Sequence, residues 1–371
     1  MSRIDVHVHG SGIVGRALAL ALARQGLAVG IDARPPAPAG GEQRADVRAY
    51  ALNAASVELL RQLKVWDGLA ADARTAVYDM RIAGDAAGAL AFSAWQQAVP
   101  ALAWIVDAAE LEQVLETAIR FAPAVSTVEA DAPAALTVIA EGKAAAGRDK
   151  LGVAFERHPY GHTALAARLV ADAPHAGVAR QWFRAPDVLA LLPFDRPLAG
   201  HSYGLVWSLP DAEAQRLAQA PDEEFDAALN AATGGAAGTL RLEGARATWP
   251  LMQASAAAVV GPGWALVGDA AHVIHPLAGQ GLNLGLGDVA ALAGVLAARE
   301  AWRPLGDEAL LRRYARARLW QTRAMAGAVD GLWQLFSAPL PGVRELRNHG
   351  MTLVNQITPL KRWLVARALG A

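Results

Sequence analysis

Residues 4–15 read IDVHVHGSGIVG, and the fold turns on how these letters are taken. His7 and His9 stand two apart, so on a strand they share a face, and Asp5-x-His7-x-His9 has the spacing of a first metal-ligand strand. The same letters also run from a strand into Gly10-x-Gly12-x-x-Gly15. In that reading Gly10 makes a tight turn, Gly12 lets backbone N–H groups approach a pyrophosphate, and Gly15 lets the next helix sit close to the strand.

The downstream residues arbitrate. Ile4 to His9 reads as a strand, Ile13 to Arg24 as an alanine- and leucine-rich helix, Gly26 as its stop and Ala28 to Asp32 as a second strand. Asp32 then falls about 20 residues after the first glycine, where a carboxylate accepts hydrogen bonds from a ribose 2′-OH and 3′-OH. A metal site would need further ligands at the ends of later strands and would leave the glycines without a purpose. The spacing favours a dinucleotide. His7 and His9 remain unusual in a central parallel strand, normally rich in Val and Ile, and are expected to be neutral and hydrogen-bonded.

At 371 residues the chain has room for one elaborate α/β unit or two domains. With 34 basic against 35 acidic residues and a pI near 6.8, nothing electrostatic points to nucleic acid. The absence of cysteine excludes disulfides, thiolate nucleophiles, iron–sulfur clusters and zinc–thiolate sites. The LALALA run at 18–23 belongs to the glycine-turn helix and not to a targeting signal. Ala247 to Gly268 carries no charge, but Pro250, Gly261, Pro262 and Gly263 interrupt it, so it is not read as a membrane span. The mean hydropathy of +0.21 is high, and helical alanine accounts for much of it.

Further along, Asn53 is the expected N-cap of a helix through Leu63, and Asp107-x-x-Glu110 has the form of a capping box. Val77 to Phe92 alternates as strands do, Pro133 to Gly152 is poorly patterned, Tyr203 to Leu209 reads as a strand and 211–232 as mostly helical. Trp207 on that strand is a candidate pocket wall, with ordinary core packing as the alternative.

The most informative stretch is WALVGDAAHVIHPLAGQGLNLGLGDVAAL, residues 264–292. Trp264 to Val267 is a strand, Gly268-Asp269 lies at its carboxyl end, and a helix begins near Gly281. A carboxylate at a strand end beside a helix N-terminus is where an α/β protein holds a polar ligand. This stretch, with Gly10 to Gly15, Asp32, Arg48, Tyr160-Gly161-His162-Thr163 and Leu192-Pro193, resembles the class A flavoprotein monooxygenases. The closest resemblance is to their ubiquinone-biosynthesis branch of aromatic-ring hydroxylases, which have a p-hydroxybenzoate hydroxylase-like fold.

The resemblance implies an α/β architecture: a Rossmann-type FAD-binding domain with an interleaved β-sheet substrate domain and C-terminal helices. Segments 1–75, 100–172 and 260–300 would form the FAD-binding domain, 76–99 and 173–259 the substrate domain, and 301–371 the helical end. By the same likeness Asp32 would hold the adenosine ribose of FAD, Arg48 the pyrophosphate or ribityl chain, and Asp269 a ribityl hydroxyl. Gly279 and Gly281 would admit backbone N–H groups to the flavin, and Gly268, Pro276, Gln280, Leu282 and Asn283 would complete the cofactor set. A helix N-terminus, carrying roughly half a positive charge, suits the anionic reduced flavin.

The implied reaction is hydroxylation of a phenol, with a polyprenyl-phenol ubiquinone precursor as candidate: NAD(P)H transiently reduces FAD, O2 forms the flavin hydroperoxide, and its distal oxygen attacks the ring. His275 is the candidate proton-handling residue, with simple ordering of its loop as the alternative. His272 with His275, and His158 with His162, lack the carboxylate and further ligands of a metal site. The chain departs from the family where a GADG pattern, then a serine and an arginine, is usual: it has Ala140-Glu141-Gly142-Lys143. That departure keeps two other readings open, a catalytically decayed accessory subunit of a quinone-biosynthesis complex and an FAD-dependent dehydrogenase.

Residues 302–371 interleave Trp302, Trp320, Trp333 and Trp363 with Arg and Lys. Such a pattern packs against the protein's own core, lies on a membrane surface, or forms a homodimer contact. A cytoplasmic location is expected, with a peripheral position on the inner face of a membrane as its variant.

Overall fold

The computed structural model describes residues 3–32, 46–84, 88–274 and 280–337. A six-stranded sheet runs in the order Val260–Gly261, Trp264–Leu266, Ala134–Ile139, Ile4–His9, Val29–Asp32, Val125–Val128. The last five strands are parallel, with Val6 opposite both Val29 and Leu136. Val6 and Val8 of the central strand are fully buried, as expected of a strand covered on both faces. Helix Ile13–Ala23 buries Ala17 through Leu22 without a polar face, because helices Ala108–Arg120 and Gln280–Ala297 pack against it. Its Leu18 and Leu22 each contribute roughly 1.5–3 kcal/mol through burial.

The strand Ala134–Ile139 lies inside the stretch read as unpatterned. It is enclosed in the sheet, so no alternation marks it, and its two leading alanines are poor strand formers. Asn53 does cap helix Ala54–Gln62, accepting the Ser56 N–H at 2.9 Å. The capping box is only half formed: Asp107 accepts from Glu110 N–H, but the Glu110 carboxylate serves Ala70 N–H and Arg196 instead.

The second sheet has eight strands, in the order His272–Val273, Leu240–Ala256, Phe155–Ala171, Ser202–Pro210, Asp187–Phe194, Val178–Arg184, Asp79–Ala83, Ala89–Ser93. Phe155–Ala171 joins this sheet although all of it falls in the 100–172 segment grouped with the FAD-binding part. The reason is its alternation. Leu165, Ala167 and Leu169 pack toward helices Asp211–Gln219 and Asp222–Thr233, while Ala164 and Ala166 face the other way.

A third, antiparallel sheet joins Ala49–Leu52, Ala103–Asp107 and Arg74–Val77. Arg168 ties it to the eight-stranded sheet, donating to Arg48 O at 2.8 Å and Asp107 Oδ2 at 3.0 Å. Helix Glu308–Ser337 packs on Gln280–Ala297. The latter is long and apolar enough to cross a membrane, but half of it is buried against its neighbours. Ala247 to Gly268, where no span was expected, holds strands of both large sheets.

Candidate functional site

The three sheets enclose a cavity of about 860 Å³. One end is the turn after the first strand. Gly10 has φ +106°, and a Cβ there would lie 2.4 Å from Ala140 O; a Cβ on Gly15 would lie 1.9 Å from Gly10 O. Only glycine fits at either position. Gly12, by contrast, has open space where a Cβ would stand and faces the cavity. It caps helix Ile13–Ala23 with no side-chain bond, leaving the helix's first N–H groups to the cavity.

Asp32 lines this end, but its carboxylate is not free. Oδ1 lies 2.8 Å from His7 Nε2 and Oδ2 3.1 Å from His9 Nδ1. Asp5, the other residue of the possible metal strand, points elsewhere and accepts Ala28 N–H at 2.9 Å. Arg48 lines the cavity, bonded to both Asp46 oxygens, to Tyr50 Oη and to Glu112. The hydrogen bond to Asp46 is the main reason its pKa is raised, against the opposing effect of burial. Tyr50, a cavity residue that no motif revealed, has its phenol raised by burial.

At the other end, Gly268–Ala270 forms a single 3-10 turn after strand Trp264–Leu266 and puts Asp269 against the cavity. No described residue donates a hydrogen bond to the Asp269 carboxylate. Burial pushes its pKa up, with Lys143 and His272 opposing. Gly268, at φ +61°, lies behind it and donates its N–H to Asp288 Oδ2 at 2.9 Å. Asp288 is fully buried; His272 Nε2 donates to it at 2.7 Å and Arg318 Nε at 2.6 Å. Burial disfavours both charged forms, yet the mutual attraction outweighs it: His272 is raised and Asp288 lowered, the latter also by Arg318. The network carries the position of Gly268 from two helices. Sequence reasoning missed it, because Asp288 and Arg318 sit in helices with ordinary periodicity.

Gly281 and Leu282, at the start of helix Gln280–Ala297, line the cavity. Asn283 does not. Its side chain accepts from Asn53 N–H and Ser56 Oγ and donates to Ala51 O, so it latches this helix to the capped helix Ala54–Gln62. His275, Pro276 and Gly279 lie outside the described residues.

Glu141 lines the cavity, but its Oε2 accepts Gly147 N–H at 2.7 Å, at the start of helix Ala146–Lys150. The longer arm is used on the backbone. An arginine follows this stretch as Arg148, fully buried, donating to Lys143 O and Ala270 O at 3.3 Å each. It joins the loop carrying Lys143 to the loop carrying Asp269.

The wall opposite the six-stranded sheet is mostly small and apolar, with Ala164, Ala166, Ala190, Leu192, Val206 and Met252, and carries Arg180 and Gln181 on its Val178–Arg184 strand. Trp207 is not part of it: strand alternation turns Trp207 to the helix-covered side, where its Nε1 donates to Asp187 at 2.6 Å. Trp249, two strands away on Leu240–Ala256, lines the cavity instead. Its position in an alternating strand was the available signal.

A sequence profile of the family described as FAD binding domain matches residues 103–328. The chain is 31% identical to the 3-demethoxyubiquinol 3-hydroxylase of Escherichia coli strain K12, over 99% of this chain and 98% of that protein. It is 30% identical to the ubiquinone hydroxylase UbiL of Rhodospirillum rubrum, over 99% of this chain and 89% of that protein. Among solved structures, PqsL of Pseudomonas aeruginosa, a probable FAD-dependent monooxygenase, superposes with a TM-score of 0.74 at 22% identity. That match covers 95% of this chain and 100% of PqsL, and shares the fold.

Proposed function

The chain belongs to the FAD-binding-domain family of flavoprotein monooxygenases, and from that premise we propose that it hydroxylates the phenolic ring of a ubiquinone precursor, with NAD(P)H as transient reductant. The observation that carries this reading is the single cavity running from the glycine turn, past Asp269, to an apolar wall. It offers a dinucleotide seat and a ring-sized apolar recess in one space.

The residues fit FAD. Gly12 leaves backbone N–H groups open to a pyrophosphate, Asp32 stands at the ribose position, and Arg48 supplies the cation between them. Asp269 is desolvated without a donor among the described residues, which suits a partner that brings hydroxyl hydrogens, as a ribityl chain does. Gly10, Gly15, Gly268, Gly281 and Leu282 shape the seat, Gln280 starts the helix beside it, and Asn283 holds that helix in place. When bound, FAD supplies electron transfer from NAD(P)H and the activation of O2. The protein's part is to place the ring on the Ala164–Ala166–Ala190 wall and to exclude water with Leu192, Val206 and Met252. His275 is proposed as the proton-handling residue.

In this reading the six-stranded sheet and its three helices serve the cofactor, and the eight-stranded sheet serves the substrate. Trp302 and Trp320, 74% and 80% exposed, support a peripheral membrane contact. Replacing both by alanine should reduce flotation with anionic vesicles.

Incubation of the FAD-loaded protein with NADH or NADPH, a short-chain polyprenyl phenol and isotopically labelled O2 tests the function. Labelled hydroxyl on the product ring supports it. Flavin reduction without labelled product points to a dehydrogenase, and absence of flavin reduction in the folded protein points to an accessory subunit.

A further inference from the structure

We propose that His7 and His9 are positioning residues for the adenosine ribose of FAD: the two imidazoles of the first strand hold the Asp32 carboxylate by both oxygens and aim its remaining lone pairs into the cavity. The inference rests on the FAD reading above and explains two histidines in a strand position where Val or Ile is usual.

The geometry follows from strand periodicity. Residues two apart share a face, and the His7 and His9 rings stack with centroids 4.1 Å apart. The neighbouring parallel strand ends at Asp32, within reach of both. His7 is 1% exposed, and its Nδ1 lies 3.1 Å from Ala132 O. An ionised carboxylate only accepts, so the His7 hydrogen that faces Asp32 is on Nε2, and the Ala132 O contact and the stacked His9 ring hold the imidazole in place. Its Nε2 then meets Asp32 Oδ1 at 2.8 Å, while His9 Nδ1 takes Oδ2 at 3.1 Å. Each carboxylate oxygen has a second lone pair, and Asp32 lines the cavity. An acceptor oriented before the ligand arrives loses less entropy on binding.

The three side chains also have the composition of a metal site. Tetrahedral zinc would hold its ligand atoms roughly 3.3 Å apart, given Zn–N and Zn–O bonds near 2.0–2.1 Å. The 2.8 Å His7–Asp32 contact is instead of hydrogen-bond length.

The test is a double-mutant cycle on FAD affinity, measured by flavin fluorescence on the flavin-free full-length protein, unsubstituted and as His7→Phe, Asp32→Asn and the double variant. His7→Phe is expected to weaken FAD by roughly ten- to hundredfold, the scale of a hydrogen bond to a charged group. Added to Asp32→Asn it should weaken FAD by less than about twofold more, because His7 acts through Asp32. If His7→Phe does not fold, His9→Ala in the same cycle gives the same readout, with a smaller loss. Equal losses in both backgrounds, no loss in either, or stoichiometric zinc in the purified protein would overturn the inference. An unsubstituted protein that binds no FAD would overturn the cofactor reading itself and this inference with it.

Discussion

Asp32 and Asp269 occupy equivalent places, each at the carboxyl end of a parallel strand of the same sheet, yet their surroundings are opposite. Asp32 is held by two imidazoles, whereas Asp269 is partly buried with no described donor on its carboxylate and its pKa is pushed up by desolvation. The protein fixes one acceptor in advance and, among the described residues, gives the other no donor. A ligand spanning both would be oriented at the first and would relieve desolvation at the second. The contrast extends behind the two residues: Asp32 is positioned directly, while Asp269 is positioned through Gly268 by the Asp288 network.

The contrast breaks most visibly behind Asp269. Arg318→Met removes a buried partner of Asp288 and should cost about 3–5 kcal/mol of stability in denaturant unfolding. A near-neutral result would mean that the network does not hold this end. Asp269→Asn should move two quantities in opposite directions. FAD affinity should fall by about 1.5–3 kcal/mol, while the flavin-free protein gains about 0.5–2 kcal/mol from losing a desolvated carboxylate. Asp32→Asn should show no such gain, since its carboxylate is already bonded.

Ala166→Phe probes the wall away from both carboxylates. Filling that space should raise the KM for the phenol by about tenfold or more, at a packing cost of about 1–3 kcal/mol, with FAD affinity unchanged. Loss of FAD as well would place the flavin, not the ring, against this wall.

The smallest effect is on pH dependence. His272 is raised above its ordinary 6.5 by Asp288, so its contribution is complete below about 6.5 and is lost as pH rises through the folded value. Asp288 is lowered from 3.8, so its contribution is present above that value and lost as pH falls through the folded one. Unfolding temperatures should therefore decline above neutrality, and His272→Gln should flatten that limb while leaving Asp32-dependent FAD binding unchanged.

What could be read from the sequence was local. The first strand, helix and second strand, the Asn53 cap and the Gly268-Asp269 strand end each depend on residues close in sequence, and the structure has them within a residue or two. Partnerships across the chain were not legible. Nothing near Asp32 in sequence announces that His7 and His9, more than 20 residues earlier, will take its oxygens. Asn283 sits in a cofactor-type motif yet spends its amide on Ala51, Asn53 and Ser56, and only the folded chain shows that crowding. Trp207 and Trp249 are both strand tryptophans; the face each takes is set by sheet register, which one strand alone does not specify. Ala134–Ile139 was invisible because a strand paired on both sides need not alternate and its two leading alanines are poor strand formers.

The most direct measurement is the visible spectrum of the purified protein after incubation with FAD and desalting, alongside Asp269→Asn treated identically. One flavin retained per chain in the unsubstituted protein, and far less in the variant, is the expected result. A folded, unsubstituted protein that retains no flavin, or a variant that retains as much, would contradict a cavity built around Asp269 to hold FAD.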